Sequence, residues 1–152
     1  MHEFRVYLAD EQATEALGGC LAAQLTDGLV VFLSGDLGAG KTCLVRGLLQ
    51  ALGYQTAVKS PTYTLVEDYS IAGHDIYHFD LYRLLDPEEL DLIGIRDYFN
   101  GRTCCFIEWP ERGQGRLPQQ DLEIRITVQG EGREAFITSH TDQGKRVLES
   151  LL

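Results

Sequence analysis

The 152-residue chain is short of positive charge, of long apolar runs and of paired cysteines, and each shortage removes a class of function. Thirteen Lys and Arg face 23 Asp and Glu, a net charge of −10 at pH 7. Binding along a nucleic-acid backbone draws its strength from counterion release and needs clustered Lys and Arg. No basic stripe is present, so any role with nucleic acid has to run through a partner. The cysteines, Cys20, Cys43, Cys104 and Cys105, make no C-x-x-C pair and sit in apolar stretches, which predicts buried, reduced thiols. No apolar run approaches the roughly 20 residues of a membrane helix, and the chain opens without a basic-plus-apolar leader. The expectation is a cytoplasmic protein with no membrane partner. There is no internal repeat, linker or low-complexity stretch, and the length suits one domain, residues 1–152, with a sizeable core.

What is present is organised around Gly35-Asp36-Leu37-Gly38-Ala39-Gly40-Lys41-Thr42. The run follows an apolar strand-like stretch, Leu29 to Leu33, and opens into a helix-like one, Cys43 to Leu52. That is the G-x-x-x-x-G-K-[ST] pattern in the strand–loop–helix context that gives it meaning. Gly38 and Gly40 let the backbone curl so that successive N–H groups surround a phosphate chain. The helix beginning at Lys41 turns its positive dipole end to the same phosphates. Lys41 adds a mobile charge, and the Thr42 hydroxyl is placed to ligate Mg²⁺. The plain alternative is a glycine-rich turn before a helix; strand, helix and all signature residues together favour a nucleoside triphosphate site.

Along the chain, Phe4 to Leu8 reads as a short strand and Asp10 as the cap of a helix whose inner face is Ala13, Ala16, Leu17, Cys20, Leu21 and Leu25. Leu29 to Leu33 reads as a buried parallel strand. Leu44, Val45, Leu48, Leu49 and Leu52 mark the second helix, which Gly53 stops. Pro61 forbids an ordinary central strand and leaves a hydroxyl cluster, Ser60, Thr62 and Thr64, where a sensor of the terminal phosphate can sit. Leu65 to Ile71 and Asp75 to Tyr82 form an antiparallel hairpin. A helix is expected from Asp86-Pro87 to Tyr98, a strand over Thr103 to Ile107, and a loop over Glu111 to Pro118. Leu122 to Val128 alternates strictly and returns over Glu134 to Ser139 as a hairpin. Thr141 caps a closing helix to Leu152. The architecture is three-layered α/β, a mixed sheet with parallel core strands and antiparallel hairpins.

Hydrolysis further requires a carboxylate for the metal and a group to orient water. Carboxylates at the ends of apolar strands border the ligand crevice of open α/β sheets. Asp80, after Ile76 to Phe79, and Glu108, after Cys104 to Ile107, meet that condition. Glu108 is the choice for the Mg²⁺ shell with Thr42, and Asp80 for water. Each alone would read as a solvated acid; together, in a chain with the loop, they read as a site. His78 and Asp80 share a strand face. His74 and His78 are separated by the hairpin geometry, so zinc is not expected; His2 and His140 offer no constellation. Trp109 is either a core filler or an aromatic wall at the mouth of the site.

These residues together resemble the TsaE (YjeE) family, the small ATPase of bacterial threonylcarbamoyladenosine tRNA modification. Gly35 to Thr42 is similar to its phosphate loop and Ser60 to Val66 to its switch segment, with Tyr63 where many members carry Phe. His78-Phe79-Asp80-Leu81-Tyr82-Arg83 and Ile107-Glu108-Trp109-Pro110 resemble its later motifs, and the likeness spans almost the whole chain. The resemblance implies ATP and Mg²⁺ as ligands, with TsaD- and TsaB-like proteins as partners and tRNA reached only through them. By similarity Lys41 and the backbone of Gly38, Ala39, Gly40, Thr42 and Cys43 hold phosphates, and Thr42 and Glu108 hold Mg²⁺. Asp80 serves hydrolysis, Thr62 reports the terminal phosphate, and Glu11 and Arg133 contact the base. On this reading residues 60–64 order with Mg²⁺ and ATP and loosen after hydrolysis. No arginine finger stands out in cis, so weak activity in isolation is expected.

Three other readings remain. A GTPase lacks its guanine-selecting N-K-x-D, since the single Asn, Asn100, precedes Gly101. A small-molecule kinase would close an arginine-bearing lid, for which Arg112 and Arg116 are available. A nucleotide-sensing module would bind without turnover.

Overall fold

The computed structural model describes residues 3–36, 38–55 and 57–151. Leu37 of the glycine-rich loop, Leu152 of the closing helix and His2 lie outside the described residues. Seven strands form one sheet: β1 (Glu3–Leu8), β2 (Val30–Gly35), β3 (Val66–Ile71), β4 (His74–Asp80), β5 (Cys104–Glu108), β6 (Leu122–Gln129) and β7 (Gly132–Ser139). Their spatial order is β1-β7-β6-β2-β5-β4-β3. Strands β6, β2, β5 and β4 run parallel; β3 pairs antiparallel with β4 on one edge, and on the other β7 pairs antiparallel with β6 and β1 antiparallel with β7, so β1 runs in the direction of the core. The mixed sheet has the expected parallel core with hairpins toward its edges, in a P-loop NTPase-like fold.

Among the described residues five α-helices accompany the sheet: α1 (Glu11–Ala22), α2 (Lys41–Ala51), α3 (Glu89–Leu92), α4 (Ile95–Tyr98) and α5 (Asp142–Ser150). Strand residues alternate between two faces, and the faces carry separate cores. One joins Leu17, Leu21, Leu44, Leu48 and Leu148 to Val31, Leu33, Phe106 and Ile124. The other joins Phe79, Leu81 and Ile107 to Leu90 and Ile95. Each fully buried Leu, Ile or Phe contributes about 1.5–3 kcal/mol.

Helix α1 is capped as expected, the Asp10 carboxylate accepting the Ala13 N–H at 2.9 Å. Its inner face is turned from the expected one: Thr14, Leu17, Gly18, Leu21 and Ala22 are buried, whereas Ala16 and Cys20 are exposed. The cause is the crossing with α2. A Cβ on Gly18 would stand 2.1 Å from the Leu44 carbonyl oxygen, and one on Gly47 2.2 Å from that of Glu15. The helices touch backbone to backbone at those glycines, and Cys20, about 200° around from Gly18 at 100° per residue, points outward. Cys43, Cys104 and Cys105 are buried thiols; Cys20 is not.

The single helix expected from residue 86 to 98 is two short ones. It starts later than predicted, at Glu89 rather than at Asp86-Pro87, after a turn in which Asp86 accepts the Glu88 N–H and the Glu89 carboxylate reaches back to the N–H groups of Leu85 and Asp86, each at 2.9 Å. Gly94 then takes a left-handed conformation (φ 69°) and breaks the run. The hairpin turn is shorter than expected, Ala72-Gly73 with both φ positive, so His74 already belongs to β4. The 111–118 loop opens with a 3-10 turn, Pro110–Gly113. Thr141 caps α5, accepting the Gly144 N–H at 3.1 Å.

Candidate functional site

Because β2, β5 and β4 are parallel neighbours, their C-terminal ends reach one edge together. Gly35, Glu108 and Asp80 end those three strands. The β4–β5 register sets Asp80 directly beside Glu108, and the β2–β5 register sets Glu108 beside Leu33, two residues before the loop. A crevice of about 280 Å³ at this edge is lined by Lys41, Thr42, Thr62, Asp80, Glu108 and Trp109 among others. Thr42 and Glu108, 66 positions apart in sequence, meet there because parallel strands share an end.

The loop takes the conformation its glycines permit. Gly38 and Gly40 have φ of 77° and 113°, a region that L side chains rarely occupy, although space for a Cβ exists at both. Gly40 leads into α2, whose free N–H groups face the crevice. Lys41 is only 4% exposed. Its ammonium donates to the Gly35 carbonyl at 2.8 Å and stands 3.9 Å from the centre of the Trp109 ring. Burial pushes the Lys41 pKa below its ordinary value, while Glu108, Asp80, Glu111 and Asp36 pull it back up. Trp109 is therefore a wall of the crevice as well as a packed ring, lying 5.0 Å from Tyr82.

Thr42 Oγ1 donates to Glu108 Oε2 at 2.9 Å. Thr62 Oγ1 donates to Asp80 Oδ2 at 2.9 Å and pairs with Ser60 Oγ at 2.8 Å, while Asp80 Oδ1 accepts the Tyr82 N–H at 2.9 Å. Both carboxylates are buried, at 5% and 3% exposure. A second crevice of about 160 Å³ shares Glu11, Gly38, Gly40 and Cys43 with the first and extends to Glu131 on the β6–β7 turn and Arg133 at the start of β7. The structure thus brings Lys41, Thr42, Thr62, Asp80, Glu108, Glu11 and Arg133 to two adjoining crevices, whereas Thr64 lines neither and donates to Glu67 Oε1 at 3.1 Å. Arg116 lies elsewhere, paired with Asp91 at 3.1 Å, and Arg112 stands over the Tyr82 ring at 5.6 Å; neither lines the phosphate crevice.

Three carboxylates, Glu11, Asp80 and Glu108, beside one lysine make an acidic pocket, which repels a polyphosphate unless a divalent cation comes with it. The donors suit Mg²⁺, a hard cation that takes one or two protein oxygens and completes its shell with water and phosphate. Thr42 Oγ1 and the Glu108 carboxylate are such a pair, and among the described residues no group of three or more His, Cys, Asp and Glu makes an all-protein cage. Sequence reasoning missed one contact: His78 Nε2 lies 2.6 Å from Glu108 Oε2. Its shared face with Asp80 was the available signal, but the partner strand is 30 residues away and not readable from spacing.

Another hollow, of about 420 Å³, lies between β3–β4 and α4, lined by Val66, Asp68, Tyr77, Asp97 and Tyr98. No lysine or arginine among the described residues lines it. Among the described residues no helix is long and apolar enough to cross a membrane.

Known proteins resemble the whole of this arrangement. The family model described as "Threonylcarbamoyl adenosine biosynthesis protein TsaE" matches residues 8–135, which takes in the glycine-rich loop, residues 60–66 and both carboxylates. A Haemophilus influenzae protein named tRNA threonylcarbamoyladenosine biosynthesis protein TsaE is 56% identical over 122 residues, 80% of this chain and 77% of that one. A Bacillus subtilis protein of the same name is 35% identical over 152 residues, covering 99% and 95%. The crystal structure of Bacillus subtilis YdiB superposes with a TM-score of 0.84 at 30% identity, over 98% of this chain and 93% of that one. With the sheet, the loop and the paired carboxylates in the same chain, this protein belongs to the TsaE family.

Proposed function

We propose that this chain is a single-domain, Mg²⁺-dependent ATPase that binds a TsaD- and TsaB-like pair and supports threonylcarbamoyl transfer to adenosine of tRNA. Membership of a family named for tRNA threonylcarbamoyladenosine biosynthesis supports the pathway. The observation that carries the ATP reading is the Thr42–Glu108 hydrogen bond at the start of α2, beside a buried Lys41. Hydroxyl, carboxylate and ammonium stand where the terminal phosphates of a nucleotide on the loop would lie.

In this reading Lys41 leaves the Gly35 carbonyl to meet the outer phosphates, and the N–H groups from Gly38 to Cys43 hold the remainder. Thr42 and Glu108 face the cation, which when bound neutralises charge on the phosphate oxygens. Asp80 orients or deprotonates the attacking water. Thr62, hydrogen-bonded to Asp80, exchanges that bond for the terminal phosphate and so reports it to residues 60–64. Glu11 and Arg133 flank the adenine and ribose. A net charge of −10 fits a cytoplasmic protein that meets tRNA only through its partners.

The test is phosphate release from ATP by the purified chain, alone and with TsaD- and TsaB-like partners, against Lys41→Ala. Weak activity, stimulated by the pair and absent in the variant, is expected. Binding without turnover in either setting would overturn the ATPase reading in favour of a nucleotide sensor. Transfer of phosphate to a metabolite instead of water would favour a kinase.

A further inference from the structure

Glu108 is gripped from beneath by a side chain that the proposed chemistry leaves without a role. His78 is fully buried, with its Nε2 2.6 Å from Glu108 Oε2, the oxygen that also accepts the Thr42 hydroxyl. The register explains the meeting. In the parallel β4–β5 pair Asp80 lies beside Glu108 and His78 beside Phe106, so His78, Asp80 and Glu108 rise from one face, with His78 one step further from the crevice.

The other ring nitrogen fixes the chemistry of the contact. His78 Nδ1 is buried and has no hydrogen-bond partner among the described residues. A carboxylate only accepts, so Nε2 is the donor. In the neutral ring Nδ1 then carries only a lone pair. A doubly protonated ring, or one protonated at Nδ1 alone, would instead bury an N–H with no acceptor, the costlier orphan. The Nε2–H of His78 and the Thr42 hydroxyl thus fix the Glu108 rotamer, because two donors converge on one oxygen.

We propose that His78 is a positioning residue: its Nε2–H orients the Glu108 carboxylate toward a divalent cation shared with Thr42. This rests on the reading of Glu108 as the cation-facing carboxylate. The arrangement matches a general habit of metal sites, in which an outer hydrogen bond to a ligand sets its orientation and its loss costs about 10–100-fold in metal affinity. A histidine retained only to fill the core would not act on the cation in that selective way.

The experiment titrates Mg²⁺ against binding of a fluorescent ATP analogue to the full chain and to His78→Gln, His78→Leu and Glu108→Gln. Gln can present its Nε2–H near the position of the histidine Nε2–H; Leu cannot. His78→Leu is expected to raise the Mg²⁺ midpoint about 10–100-fold, His78→Gln by no more than about threefold, with affinity in EDTA unmoved in both. Glu108→Gln should abolish the Mg²⁺ effect. If Glu108→Gln abolishes it while Leu and Gln at position 78 behave alike or leave it unchanged, the positioning role is overturned and the cation reading stands. If Glu108→Gln leaves the Mg²⁺ dependence at the wild-type value, both fall. Should His78→Leu fail to fold, the ¹⁵N imidazole shifts of His78 in the wild-type protein decide. A ring protonated at Nε2 and bare at Nδ1 supports the role, and a proton on Nδ1 overturns it.

Discussion

Asp80→Asn separates the proposed chemistry from the architecture that holds it. Asp80 Oδ1 accepts the Tyr82 N–H and Oδ2 accepts the Thr62 hydroxyl, both at 2.9 Å. In the variant Oδ1 keeps the first bond. The new amide N–H donates to Thr62 Oγ1, whose own proton turns to Ser60 Oγ, 2.8 Å away. All three hydrogen bonds of the set are kept. The lost charge assistance costs about 1 kcal/mol, partly offset by relief of repulsion with Glu108 on the neighbouring strand. A chain of this size should therefore lose no more than about 4 °C in Tm. Removing a group that orients or deprotonates water slows hydrolysis about 10²–10⁴-fold, or about 3–5 kcal/mol at 1.36 per decade. We predict ATP affinity within about threefold of wild type and single-turnover phosphate release lowered by that larger factor. Hydrolysis near the wild-type rate, or affinity falling in step with it, would refute the assignment of Asp80 to water.

Other consequences are equally open to measurement. Thr62→Ala should leave ATP affinity nearly unchanged but reduce partner-stimulated turnover; full turnover and full stimulation would sink the switch. Gly18→Ala would drive a Cβ to within 2.1 Å of the Leu44 carbonyl oxygen, so urea denaturation should show a loss at or above the usual 1–3 kcal/mol of overpacking; a loss under about 0.5 kcal/mol would refute the close α1–α2 crossing. Burial raises the Cys105 thiol from 9.0 to about 12. The unfolded chain ionises first, so stability is intact below pH 9 and falls as pH rises toward 12, by about 1.4 kcal/mol per pH unit from this thiol. Cys105→Val should flatten the urea-midpoint slope between pH 9 and 11 by that amount, and an unchanged slope would contradict the burial argument.

The sequence made the phosphate loop legible because its glycines, lysine and threonine are contiguous and their geometry is local. Asp80 and Glu108 were legible because each ends an apolar strand, and parallel strands deliver such ends to one edge. What spacing could not show is which strand lies beside which, and so the His78–Glu108 contact across two strands was invisible. The inner face of α1 was misplaced at Ala16 and Cys20 for a similar reason. Hydropathy ranked Cys20 as buried, whereas the backbone contact at Gly18 and Gly47 set the rotation of the helix. Gly94, unremarkable within an amphipathic run, ended a helix that pattern alone would have continued. Trp109, ambiguous in sequence, took its place at the crevice through a left-handed backbone turn, φ 59°, directly after Glu108.

The most direct test is a calorimetric titration of ATP into the purified chain and into Lys41→Ala, with and without Mg²⁺. The account predicts one ATP bound per chain, more tightly with Mg²⁺, and no measurable binding to the variant. Equal binding by both proteins, or none by the wild type, would contradict the claim that the loop at the start of α2 is a nucleotide site.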